Sequence, residues 1–239
     1  NVAVGHSALA VQNAGANAYN VAVGASAGAA ITTGIRNNLI GAYCGDALTE
    51  GSYNAAMGLN ALTTDTKGNY NTGLGDYSLA TQNFTTSTSS HNVGVGHNSG
   101  ASITTGVENT IIGSSAGDAL IDADYNVAVG KSALTTDTYG SRSVAIGTSA
   151  LGTQNFGTAT NSYNTTVGHS AGYAITTGIQ NTIVGGYAGD ALIDADFNVA
   201  IGTMALTADT YGSRSVAIGR RALYAQNFTT ATDAYNVAV

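Results

Sequence analysis

Three carboxylates, Asp118, Asp122 and Asp124, recur 72 residues later as Asp190, Asp194 and Asp196. Clustered carboxylate oxygens are what a calcium ion takes as ligands, so these six residues are the chain's nearest approach to a metal site. The first repeat breaks the pattern, with Asp46 followed by Thr49 and Glu50. The spacing also fits no known calcium loop, and Asp at solvated turns explains it without an ion. No metal or other cofactor is expected. The four histidines, His6, His91, His97 and His169, fall at scattered places, three of them directly after a glycine. A triad needs a nucleophile and an acid poised around one imidazole, and nothing marks such a set. The single cysteine, Cys44, stands where other copies of its motif carry Ala or Ser. It reads as a small buried residue rather than a reactive thiol. Arg142, Arg214 and the pair Arg220–Arg221 read as salt-bridge partners for Asp in adjoining repeats. This set of residues predicts no enzyme.

What positions them is one motif written thirteen times. An Asn or Ser opens each copy and a Gly closes it at the fifth place: Asn1 to Gly5, Asn20 to Gly24, Asn126 to Gly130, Asn198 to Gly202. A fourteenth copy opens at Asn236. The openings are spaced 19 residues apart, then 17, 17, 17 and 21, three times over. Self-similarity at a fixed period means a solenoid. The sequence therefore predicts an all-β fold, a β-solenoid or β-roll rod of thirteen 17–21-residue rungs. The rungs group into 72-residue units 20–91, 92–163 and 164–235 after a partial rung 1–19. Residues 1–239 are expected to form a single array, a window of a longer fibre.

Composition agrees. Hydrophobic residues make up 44%, but there are four Phe and no Trp, so the core must be thin and built of small side chains. There is no Pro, which would delete backbone donors that stacked rungs need. Net charge is −7, with 7 basic against 14 acidic residues and no basic stripe, which argues against nucleic acid as a partner. No apolar run is long enough for a membrane span.

In Asn-Val-Ala-Val-Gly the second and fourth places point one way and the third the other. The fourth is always apolar (Val23, Ile40, Met57, Leu74, Ile112) and the third nearly always small or apolar. Apolar residues on both faces mean that both faces are covered. A lone coil covers only its inside, so a second subunit is expected, most simply as a homotrimer. The small third place suits close approach around a threefold axis, which makes Ala22, Leu39, Ala56, Ile111, Ala128, Ala145, Ile183, Ala200 and Ala217 the expected subunit interface. Inside each coil, volume is exchanged between two places. Gly28, Gly45, Gly100 and Gly117 at the ninth place are followed by Ile31, Leu48, Ile103 and Leu120. Leu62, Leu79, Leu134 and Leu151 are followed by Asp65, Gln82, Asp137 and Gln154. One large side chain per coil fills an interior of fixed volume.

At Ser143-Val144-Ala145-Ile146-Gly147, and again at Ser215 to Gly219 and Asn198 to Gly202, the chain resembles the head repeats of trimeric autotransporter adhesins. It is also similar to Gly-rich repeats of phage tail fibres. The resemblance covers the whole chain but about half of each rung. It implies a left-handed β-roll in which three chains pack together, and it carries over no catalytic residue. The rungs here are longer than the adhesin repeat and grouped in fours, without a neck, coiled-coil stalk or membrane anchor.

The tails of the fourth rungs are longer and rich in Ser and Thr, and are expected to bulge outward. Loops of this kind are where binding resides, so Phe84, Thr85, Thr86, Phe156, Thr158, Phe228, Thr229 and Thr230 are the candidate surface-binding residues. Asn83, Asn164 and Asn227 open glycosylation sequons. Tyrosines end many rungs: Tyr19, Tyr53, Tyr70, Tyr125, Tyr163 and Tyr235. The expected function is a non-catalytic fibre shaft of an attachment device, either a phage tail fibre or a cell-surface adhesin. It would lie outside the cell or on a virion surface and meet a cell-surface glycan or receptor weakly at many sites. The alternatives are a self-assembling extracellular filament without a receptor and, more remotely, an ice-binding solenoid built on Thr32–Thr33, Thr104–Thr105 and their copies.

Overall fold

The computed structural model describes residues 1–15 and 17–239. The chain is an all-β parallel β-solenoid of about 14 turns of roughly 17 residues, with no helix among the described residues. It divides into two compact units, Asn1–Asp122 and Ala123–Val239. In the first unit each rung contributes one three-residue strand to a parallel sheet: β1 (Val2–Val4), β2 (Val21–Val23), β3 (Asn38–Ile40), β4 (Ala55–Met57), β6 (Thr72–Leu74), β8 (Val93–Val95) and β9 (Thr110–Ile112). Two short strands, β5 (Gly68–Asn69) and β7 (Thr88–Ser89), pair beside it. The second unit repeats the arrangement with β10 (Val127–Val129), β12 (Val144–Ile146), β14 (Thr165–Val167), β15 (Thr182–Val184), β16 (Val199–Ile201), β18 (Val216–Ile218) and β20 (Val237–Ala238). Its side pairs are β11 (Gly140–Ser141) with β13 (Thr160–Asn161) and β17 (Gly212–Ser213) with β19 (Thr232–Asp233).

Register is one rung to the next, place for place: Thr182 on Val199, Ile183 on Ala200, Val184 on Ile201. The opening residue sets it. The Asn37 amide donates to the Asn20 side-chain oxygen at 2.7 Å, Asn54 to Asn37 at 3.0 Å, Asn71 to Asn54 at 2.9 Å. In the second unit Asn198 donates to Asn181 at 3.0 Å and Ser215 to Asn198 at 2.9 Å. The same Asn closes its own coil. Its Nδ2 donates to a carbonyl fourteen residues on, as in Asn37 to Gly51 (2.9 Å) and Asn198 to Gly212 (2.9 Å). These asparagines are 0–1% exposed, and at Asn37, Asn54, Asn181 and Asn198 the buried amide satisfies backbone groups of two rungs.

The fifth-place glycine turns the chain with φ between 120° and 143°. It also lies against the next rung. A Cβ on Gly185 would sit 2.6 Å from the carbonyl carbon and oxygen of Gly202, closer than any side chain tolerates.

The third-place residues point into the coil's own interior. Ala22, Leu39, Ile111, Ala128, Ala145, Ile183, Ala200 and Ala217 are 0% exposed and Ala56 is 2% exposed, all within a single chain. This corrects the expected subunit interface. Each coil covers these side chains with its own return segment, so the face left over for a partner is the second and fourth places. The volume exchange holds in the same interior. A Cβ on Gly28 would fall 2.9 Å from Ile31 Cδ1 and from Leu39 Cδ1, and one on Gly117 would fall 2.9 Å from Leu120 Cδ1.

Gly185→Ala should destabilise the fold by about 3 kcal/mol or more, because both the positive φ and the clash oppose it. Gly186→Ala, where a Cβ meets nothing within 4 Å, should stay within about 0.5 kcal/mol of the parent. Urea unfolding of the two variants side by side measures the difference.

Candidate functional site

Three buried carboxylates form polar plugs inside the coils, at places where a purely apolar core would put Ile or Leu. Asp65 is 0% exposed. It accepts from the amides of Gly68 (3.0 Å) and Phe84 (3.1 Å) and from Gln82 Nε2 (2.6 Å). Gln82 in turn accepts from Asn92 Nδ2 at 2.9 Å. Asp137 with Gln154 and Asn164, and Asp209 with Gln226 and Asn236, repeat the network. In the second unit Gln154 and Gln226 also donate to the opening serines Ser143 and Ser215. No cation enters the network around Asp65, and burial pushes its carboxyl above the usual range, against the hydrogen bonds from Gln82 and the backbone. The sequence pattern marked these residues as volume fillers and gave no sign of the network. Gln12 occupies the equivalent place in the first rung, and its buried amide has no hydrogen-bond partner among the described residues.

The calcium candidates are not brought together. Asp122 accepts from Thr105 Oγ1 at 2.7 Å, Asp194 from Thr177 Oγ1 at 2.8 Å, and Asp196 from the Ile179 amide at 2.8 Å. Thr207 Oγ1 donates to Asp190. Among the described residues no group of three His, Cys, Asp or Glu could hold a metal ion, no pocket opens, and no helix is long and apolar enough to cross a membrane. All four histidines are exposed. His91 stacks on Tyr70 at 5.0 Å, and His97 and His169 stand edge-on to Tyr77 and Tyr187. Cys44 is fully buried and its thiol is pushed up to about 12, chiefly by burial.

The fourth-rung tails do not simply bulge. Phe84 and Phe156 are 6% exposed and anchor them. Beyond each Phe the chain returns to pair with the third rung, Thr88 on Gly68 and Thr160 on Gly140. Thr85, Thr86, Thr158, Thr229 and Thr230 remain exposed, and Phe228 is half-buried. The threonine row considered for ice is engaged with the backbone. Thr32, Thr104 and Thr176 donate to the carbonyls of Thr49, Ile121 and Ile193. Of the sequon asparagines, Asn83 and Asn227 are exposed and Asn164 is buried.

Two rows remain open to solvent on the strand side. The first is apolar. Ile112, Ile146, Ile201 and Ile218 at the fourth place are each 37–38% exposed, and Met57 is 50% exposed. Val144, Val199 and Val216 at the second place are partly exposed beside them. The second row is the residue before each opening Asn or Ser. It holds Tyr19, Arg36, Tyr53, Tyr70, His91 and Glu108 in the first unit, and Tyr125, Arg142, Tyr163, Gln180, Phe197, Arg214 and Tyr235 in the second. Every one of them has positive φ, between 49° and 63°. Tyr53 and Tyr70 stack at 4.9 Å, and Arg36 lies 5.3 Å above the Tyr53 ring. The tyrosines were legible in the sequence, but the continuity of the row was not, because Arg, His and Gln interrupt it as letters and continue it as planar groups.

No family model matches this chain, and no curated protein or solved structure does either.

Asp65 gives a pH dependence. Its folded-state carboxyl holds a proton more readily than in the unfolded chain, so the folded state binds more protons as the pH falls. Its contribution to stability is fully present below the ordinary carboxylate range and is lost as the pH rises through the raised value. Relative to Asp65→Asn, the parent should therefore gain stability on acidification, measured as the difference in thermal midpoint across the pH series; a flat difference contradicts it. Cys44 should resist alkylation in the native chain and react on unfolding in urea, read by mass.

Proposed function

We propose that this chain is a non-catalytic structural shaft that associates with further copies of itself, most simply two, and serves an attachment device such as a phage tail fibre or a surface adhesin. One observation carries the reading, the unbroken apolar row at the fourth place on the solvent side of each sheet, flanked at the second place by Val or Ala in most rungs and by Asn38, Thr72, Thr110, Thr165 and Thr182 in the others. At roughly 4.8 Å per rung, seven rungs carry the row about 34 Å along each unit. A contiguous exposed apolar row of this length marks an interaction surface. A partner must offer its own apolar groups at the same rung spacing, and another copy of the chain does so. The resemblance to trimeric adhesin heads supports three copies, and it supports an extracellular or virion-surface setting. The exposed hydroxyls of the fourth-rung tails, recurring every four rungs, suit weak contacts that gain strength by number.

Ile146→Asp combined with Ile218→Asp places charge on the apolar row and leaves the coil interior untouched. We expect a folded chain by circular dichroism with the mass of a single copy by light scattering, while the parent has the mass of several. A parent that runs as a single copy, or a variant with the parent's mass, contradicts the proposal. Ala145→Arg, by contrast, should unfold the chain, since Ala145 lies inside the coil.

A further inference from the structure

We propose that the planar row of the second unit, Tyr125, Arg142, Tyr163, Gln180, Phe197, Arg214 and Tyr235, is a binding site for a linear acidic glycan. The proposal rests on the attachment reading above and names its ligand and its site.

The first observation is conformational. All seven residues have positive φ, from 50° to 63°. A turn asks for Gly or Asn there, and large L side chains take this conformation only against steric opposition. The same conformation recurs within each rung at Ser132, Ser149 and Ser170 and at Leu134, Leu151 and Leu206, so the rung geometry accounts for the conformation and what sets this place apart is that it holds large planar groups seven times in succession.

The second observation is chemical. The Arg142 guanidinium lies 4.5 Å over the Tyr125 ring, and that of Arg214 lies 4.6 Å over Phe197 and 5.8 Å from Tyr235. Both guanidinium groups are also fixed through Nε, Arg142 to Asn161 Oδ1 at 3.1 Å and Arg214 to Asp233 Oδ1 at 2.9 Å. Among the described residues their Nη groups donate to no protein acceptor, which leaves a preoriented pair of donors on each Arg for a carboxylate. Tyr163 and Tyr235 are 51% and 67% exposed and offer ring surface and hydroxyls to sugar residues. Four rungs separate the two arginines, about 19 Å along the row, a span of several sugars.

The third observation is electrostatic. The row itself holds two cations and no acid in a chain whose net charge is −7 with only 7 basic residues; Arg214 is ion-paired with Asp233 at 2.9 Å, and Arg142 is held by the neutral Asn161. Two cations over this length do not meet the charge density of a nucleic acid backbone, whereas a polymer with spaced carboxylates matches them.

The test is electrophoresis of the full chain in native gels cast with polygalacturonate, with dextran or with neither. Retardation by polygalacturonate alone, weakened about tenfold by Arg142→Gln with Arg214→Gln and by a smaller factor by Tyr163→Ala, is the expected result. Absent retardation, equal retardation by dextran, or tighter binding of a single-stranded DNA oligonucleotide overturns the proposal. So does weakening by Thr229→Ala with Thr230→Ala instead of the row variants, which would move binding to the fourth-rung tail. Light scattering on the same samples separates the two readings. Lost binding at unchanged mass sinks the glycan site alone, and a single-copy mass sinks the shaft.

Discussion

The buried asparagine at the head of each rung is the constraint on which the rest depends. A coil of about 17 residues has no helix and only three strand residues per turn to hold it, so most of its backbone groups need partners elsewhere. The Asn side chain supplies them at the one place where two rungs and the two ends of a coil meet. Its carbonyl takes the amide of the next rung, and its amide closes its own coil. A buried group that satisfies two backbone partners leaves both unsatisfied when removed, at about 1–3 kcal/mol each. Because the contact repeats at the same place, it fixes register as well as stability: a slipped rung would set Val or Ala against it.

Everything inside the coil follows from the closed perimeter. The interior admits one large side chain in addition to the third-place residue, so Gly at the ninth place goes with Ile or Leu at the twelfth. Where Leu takes the ninth place, the twelfth holds Asp or Gln. The polar residues are not tolerated defects. Asp65, Gln82 and Asn92 form a satisfied chain that reaches the asparagine ladder. The chain spans the third and fourth rungs, where the repeat lengthens and the side strands form. The extra four residues of the fourth rung are thus held on the inside by Phe84 and Asp65 and on the outside by β5 and β7.

Much of this was legible in the sequence. Period, rung boundaries, strand placement and the volume exchange all come from residues that recur at fixed spacing. The assignment of faces was not legible. Ala145 and Ile146 are both apolar, and alternation alone cannot say which of two apolar faces is inside. The coil's own return segment decides it, and that segment is irregular in sequence. The planar row was hidden for a different reason. Tyr, Arg, His and Gln share no hydropathy, so nothing in the sequence pattern shows that the place before each opening Asn or Ser forms one exposed row. The polar plug was half visible: Asp65 and Gln82 stood out as a change of residue type, but their seventeen-residue separation gives no hint of a hydrogen bond until the coil is closed.

Amide hydrogen exchange, resolved residue by residue, tests the asparagine ladder most directly. The amides of Asn37, Asn54, Asn71, Asn181 and Asn198, each bonded to the side chain of the preceding rung, should exchange as slowly as the strand amides beside them and only through global unfolding. Exchange of these amides at the rate of the exposed Thr85–Thr86 segment would contradict the ladder as the element that holds the coils closed and in register.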